Sequence, residues 1–129
     1  MYPEQYLYSK EHEWLSVNEN VCTLGITKFA QDELGEVVFV ELPEVGQVFE
    51  IGDEIGTIES VKAVAEIYIP VSGEVIGVND QLDDSPELIN EDPHSEGWIC
   101  KIRLAEGFDL SELMDSKKYA ELASGSSDG

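Results

Sequence analysis

The sequence predicts a mainly β domain, a sandwich or flattened hybrid barrel of two pseudo-symmetric halves, with a short helix near residues 28–34 and a helical segment at the C-terminus. Three observations carry that expectation. Short runs rich in β-branched residues (EWLSV, VCTLGIT, VVFVEL, EIGTIE, VAEIYI, WICKIRL) recur along the chain, separated by Gly, Pro, Asn and Asp. From Val45 onward a faint repeat sets Gly46, Val48, Gly52, Asp53 and Ile55 against Gly73, Val75, Asn79, Asp80 and Leu82, each 27 residues later. Apolar spacing of the helical kind is confined to two short stretches. A chain of 129 residues holds one such domain and is too short for two ordinary ones, so residues 1–123 are assigned to a single domain and the polar end at 124–129, SGSSDG, to a disordered tail.

In chain order, EWLSV and VCTLGIT flank NEN, whose residues tolerate turn conformations, and the three together predict a hairpin. KFAQDELG predicts one or two turns of amphipathic helix, with Thr27 as N-cap and Gly35 just past the end. VVFVEL, Val37 to Leu42, is apolar throughout and predicts a buried strand that Pro43 stops. The 27-residue repeat predicts two like hairpins packed about an approximate dyad; Lys62 then falls in the turn of the first half, and Ile89 stands at the matching place in the second. WICKIRL alternates as a strand does. In FDLSELMDSKKYAELA, Asp109 is a candidate cap, Glu112 completes a capping box, and Leu110, Leu113 and Met114 form an apolar stripe, with Asp115 able to restart the helix.

Composition narrows the function classes. With 42% apolar residues the chain folds in spite of its charge. The net charge of −21 repels a phosphate backbone or an anionic membrane surface, which argues against nucleic-acid and membrane partners and for a monomer with transient contacts; composition alone does not separate a simply solvated acidic surface from one that steers the chain towards basic patches on partner proteins. The opening MYPEQYLYSKEHEW has neither the basic nor the apolar segment of an export signal, and no apolar run approaches a membrane span, so a soluble cytoplasmic protein is expected. Cys22 and Cys100 have no metal-like spacing and are expected as buried, reduced thiols. His12 and His94 form no HExxH pattern and are assigned no metal or catalytic role.

Against that acidic background, EIGTIESVKAVAEIYIP holds a single lysine. Two strand-like runs flank only SVKA, so Lys62 is expected on a tight β-turn at an exposed tip, where another protein's active site can reach it. GDEIGTIESVKA followed by PVSGEV, with Gly46 sixteen residues before and Gly73 eleven after Lys62, resembles the attachment hairpin of the biotinyl and lipoyl carrier superfamily. Biotin carriers place Met on both sides of the lysine, whereas Val61 and Ala63 stand here. KEHEWL, LGIT, AQDELGEVVFVELPEVG, LINEDPHSEGW and KIRL, in that order, narrow the resemblance to the glycine cleavage H-protein family over roughly Tyr6 to Leu122.

The resemblance implies a non-catalytic shuttle with lipoate joined to Lys62 as an amide. Roughly a dozen bonds of ~1.5 Å give such an arm a reach on the order of 15 Å. The implied partners are a glycine decarboxylase (P-protein), an aminomethyltransferase (T-protein), dihydrolipoamide dehydrogenase (L-protein), and a lipoate ligase or octanoyltransferase that installs the arm. Glu59, Ser60, Val61 and Ala63 become candidates for recognition by the installing enzyme. Glu13, Glu33 and Glu66 become candidates for a cleft that shelters the arm and its aminomethyl cargo, although some relatives carry histidine at the place of Glu33. Two alternatives stand beside this reading: an H-like lipoate carrier serving lipoate relay or sulfur metabolism, and an acidic interaction domain whose lysine is never modified. An enzyme is not expected, because the sequence offers no nucleophile and base pair, no phosphate-cradling glycine loop and no metal cluster.

Overall fold

The computed structural model describes residues 2–125. The elements run β1 (Leu7–Tyr8), β2 (Glu13–Asn18), β3 (Val21–Ile26), α1 (Lys28–Leu34), β4 (Val37–Glu41), β5 (Val48–Phe49), β6 (Glu54–Ser60), β7 (Val64–Tyr68), β8 (Gly73–Val78), α2 (Gln81–Asp84), α3 (Leu88–Glu91), β9 (Cys100–Leu104) and α4 (Ser116–Gly125). Every strand pairing is antiparallel. The strands form two open sheets, one in the order β1-β2-β3-β9-β8-β5 and one in the order β4-β6-β7, so the fold is mainly β and neither sheet closes into a barrel.

Strand alternation decides what each sheet buries. Cys100, Ile102 and Leu104 of β9 point inward while Lys101 and Arg103 face water. The inward rows meet in one core that draws Leu15, Leu24, Val75 and Ile102 from the larger sheet and Val40, Ile58 and Ile67 from the smaller, with Leu34, Leu82 and Ile89 of the helices closing it. On β2 the same alternation puts Glu13 in the row of Leu15 and turns Trp14 to the other face, into a second cluster with Tyr8 and Tyr119. Trp14 pairs with Gly25 across the hairpin, and a Cβ there would come within 2.6 Å of the indole, so only glycine fits beneath it.

The helix predicted at 28–34 is present with both its ends. Thr27 Oγ1 accepts the Ala30 N–H at 3.2 Å, and Gly35, at φ 81°, donates its N–H to Gln31 O at 2.9 Å. The two predicted hairpins, β2–β3 and β6–β7, are also present.

Four expectations are corrected. The strand at 37–42 is not buried throughout: β4 is an edge strand with an irregular register between Val37 and Phe39, which leaves Val37 and Val40 inside and Val38 and Phe39 exposed. The repeat does not produce a second hairpin at its matching position. Gly52 takes φ 94°, but Asn79 stays out of the left-handed region and spends its side-chain amide on Glu96 O and Trp98 O, at 2.9 and 2.8 Å. The chain then enters α2 and α3, and Ile89 is a core residue of α3. The segment from Asp109 is not helical, because Met114 exchanges two backbone hydrogen bonds with Tyr8, at 2.7 and 2.8 Å, which require extended chain. Asp109 instead accepts the Ser111 N–H at 2.9 Å, and the helix starts after Asp115, whose Oδ1 accepts from Lys118 N–H at 2.8 Å. Lastly, Ser124 and Gly125, read as tail, complete α4; residues 126–129 lie outside the described residues.

Candidate functional site

Lys62 lies on the turn between β6 and β7 with its side chain exposed. Two-residue hairpin loops ordinarily use residues at positive φ, and this one has none. Ser60 supplies the missing geometry. Its backbone N–H donates to Ala63 O at 2.7 Å, and its hydroxyl accepts from Ala63 N–H at 3.0 Å and from Lys62 N–H at 3.3 Å. Its buried hydroxyl is therefore committed to the turn, whereas Glu59, Val61 and Ala63 are exposed around the lysine.

The tip is braced from behind. Val61 donates its N–H to Glu36 O at 3.0 Å. On either side of Glu36, Asn90 of α3 donates to Gly35 O at 2.7 Å and accepts from Val37 N–H at 2.8 Å. A Cβ at Gly35 would stand 3.4 Å from Lys62 Cε, so the lysine stem lies over the end of α1. The turn is thus tied through α1's exit loop to α3 rather than projecting freely.

Beside it opens a cleft of about 340 Å³ that contains all three carboxylates named above. Glu13 comes from the start of β2, Glu33 from α1 and Glu66 from β7; Glu11, His12 and Phe29 join them, and Ile26, Leu34, Ile58, Ala65 and Ile67 make the apolar wall. A second cavity of about 520 Å³ lies beyond Glu11 and Glu13, towards Tyr68, Ile69 and Leu113.

The carboxylates differ in setting. Glu33 and Glu66 are exposed, and Glu13 is 3% exposed because the alternation of β2 aims it inward. Burial pushes the Glu13 carboxyl up to about 8, against the opposing pull of hydrogen bonds from the Ser9 hydroxyl and the Tyr68 backbone, and the neighbouring Glu11 adds to the rise. Ser9 Oγ donates to Glu13 Oε1 at 2.8 Å. The direction of the Glu13 shift follows from burial, which disfavours the charged carboxylate. His12 forms part of the same wall, stacked on Phe29 at 4.6 Å. His94 serves elsewhere, accepting the Lys28 N–H at the start of α1 at 3.1 Å. Cys22 and Cys100 are buried free thiols, both pushed up to about 12 by burial.

Sequence reasoning missed Asn90, Glu11 and the cleft position of His12. Asn90 and His12 stood inside stretches that carried the resemblance, LINEDPHSEGW and KEHEWL, but no local signal marks an amide or a ring that acts across 53 or 107 residues of chain.

The family model described as glycine cleavage H-protein matches residues 6–125 of this chain. The chain belongs to the glycine cleavage H-protein family. It is 48% identical to a glycine cleavage system H protein of Staphylococcus epidermidis, the match covering 93% of this chain and 95% of that one. Identity to the protein of the same name from Staphylococcus saprophyticus is 50%, with the same shares covered. A crystal structure of a glycine cleavage system H protein from Mycobacterium marinum superposes with a TM-score of 0.85 at 33% identity, covering 92% of this chain and 95% of that chain. Members of the family are lipoyl carriers of the glycine cleavage system, and that is the role of this chain. Among the described residues no helix is long and apolar enough to cross a membrane, and no cluster of His, Cys, Asp and Glu is arranged to hold a metal.

Proposed function

We propose that Lys62 bears lipoate as an amide and that the protein works without catalysing chemistry itself, as a shuttle whose arm parks in the cleft walled by Glu13, Glu33 and Glu66. The observation that carries this reading is the juxtaposition of an accessible lysine on a braced turn with a partly apolar, carboxylate-lined cleft beside it. The residues fit the group: the cleft lies at the lower end of the roughly 300–1,000 Å³ typical of small-molecule sites, and its wall pairs aliphatic side chains with acids. Lipoate, when bound, would supply a cyclic disulfide, the oxidised form, which can take up an aminomethyl group together with two electrons.

Everything else falls to the chain's own residues. The Ser60 turn and the Asn90 brace hold the attachment point. Exposed Val61, Val64 and Phe39 beside Lys62 offer an apolar surface to whichever active site receives it. Ile26, Ile58 and Ile67 exclude water from the parked arm, which protects a cargo that water would release. An ammonium-bearing cargo favours the ionised form of Glu13, so docking releases a proton from that carboxyl. The partners are the P-protein, T-protein and L-protein of glycine cleavage, with a lipoate ligase or octanoyltransferase installing the arm. Reduced, buried Cys22 and Cys100 suit a cytoplasmic setting.

The test is exchange of glycine carboxyl with bicarbonate by purified P-protein. Lipoylated parent protein is expected to support it and Lys62→Arg to reduce it to the carrier-free background; equal rates for the two would overturn the reading.

A further inference from the structure

The hydroxyl of Tyr119 reaches from α4 to the back of the cleft. It lies 2.7 Å from His12 Nδ1 and 2.7 Å from Thr27 Oγ1, and the residue is fully buried. The ring cannot drift, since it stacks on Tyr8 at 4.9 Å and meets Tyr2 edge-on at 5.0 Å. Counting protons orients the chain of hydrogen bonds. Thr27 Oγ1 already accepts the Ala30 N–H as helix cap, and among the described residues its own proton has one acceptor in reach, the Tyr119 oxygen. Tyr119 must then donate to His12 Nδ1, which leaves the imidazole proton on Nε2. The reverse order would strand the buried Thr27 proton without an acceptor.

His12 has a second peculiarity, a left-handed backbone at φ 71°, which a non-glycine residue adopts only where its surroundings hold it. Its N–H donates to Ser9 O and its carbonyl accepts from Thr27 N–H, both at 3.1 Å. That bend puts Glu11 and Glu13, its two neighbours, on the wall of one cleft.

We propose that Tyr119 is a positioning residue for the arm cleft: relayed from Thr27, its hydroxyl fixes His12 as the Nε2–H tautomer and holds the left-handed bend that brings Glu11 and Glu13 together. Among the described residues lining the cleft, His12 is then the one side-chain N–H donor facing a set of carboxylates. Glu11 and Glu33 are the charged groups near the ring, and with the proton on Nε2 the ring offers those carboxylates a donor and no acceptor, which leaves the ammonium of a cargo to be met by the carboxylates and not by the imidazole. The C-terminal helix becomes part of the carrier function, not a cover for an aromatic cluster.

This inference rests on the cleft being where the arm parks, and the experiment separates the two. Two-bond ¹H–¹⁵N spectra of the intact chain report the His12 tautomer directly: Nε2 protonated and Nδ1 bare is expected in the parent, and an Nδ1-protonated ring would overturn the proposal whether or not any variant folds. Tyr119→Phe keeps the ring and removes the hydroxyl, so it is expected to mix the tautomers and to shorten retention of the aminomethyl cargo, read as formaldehyde release, by about threefold to tenfold. A folded Tyr119→Phe with the parent His12 pattern or parent retention overturns the positioning role. If Glu13→Gln also leaves retention unchanged, the cleft reading itself fails.

Discussion

At Glu13, strand alternation sets a carboxyl in the same inward row as Leu15, and burial does the rest: the group holds its proton up to about 8 where 4.5 is ordinary. The consequence for stability has a definite sign. Between those two values the folded chain keeps a proton that the unfolded chain has released, so this group lowers stability as pH rises through the window and adds no further change above it. The size is on the order of 4 kcal/mol. Glu13→Gln, which keeps shape and removes ionisation, is therefore expected to be clearly more stable than the parent at pH 8 and close to it at pH 5. Urea unfolding at both values checks this, and a constant difference between the two proteins would contradict the burial account. What could be read at this scale from sequence was uneven. Lys62 was legible because two strand-like runs left it nowhere but a turn. Glu13, Glu33 and Glu66 came only through family resemblance, since no local pattern brings β2, α1 and β7 to one cleft. Ser60 was placed among the recognition candidates, but its hydroxyl is spent on the turn, a use that becomes visible only with the backbone conformation.

At the scale of elements, the segment from α1 to β4 does more than connect. Gly35 ends the helix, lets the lysine stem pass over it, and hands its carbonyl to Asn90, while Glu36 O receives the N–H of Val61. Asn90→Ala strips two half-buried backbone groups of their partner, which is expected to cost about 1–3 kcal/mol. It is also expected to slow installation of lipoate several-fold, measured as the initial rate with a purified ligase. Parent rates together with a loss of stability would assign Asn90 to the fold alone. Elements with local signatures were legible: Thr27 and Gly35 bracket α1, and β9 alternates cleanly. Elements set by distant partners were not. β4 reads as buried because its residues are apolar, yet its edge position and irregular register expose Phe39. The stretch after Asp109 reads as helix until Tyr8 claims the backbone of Met114.

Across the whole molecule, the core lies between the two sheets and the cleft opens beside the 60–63 turn, where α1, β2 and β7 approach one another. The sheets follow from alternation, so the mainly β class was readable. The 27-residue repeat was only half informative: it marks true glycine turns at Gly46 and Gly52, but in its second copy the sequence spends Asn79 and Ile89 on stitching and filling the core. A net charge of −21, with seven Lys and Arg against 28 Asp and Glu, leaves Lys62 conspicuous among few cations. The most direct test of the carrier account is intact mass with peptide mapping, on protein made in cells supplied with lipoate and an active ligase or octanoyltransferase. The account predicts a mass increase equal to one lipoyl amide, confined to the peptide that contains Lys62. An unmodified Lys62 peptide under those conditions, or the same increase on another lysine, would contradict it.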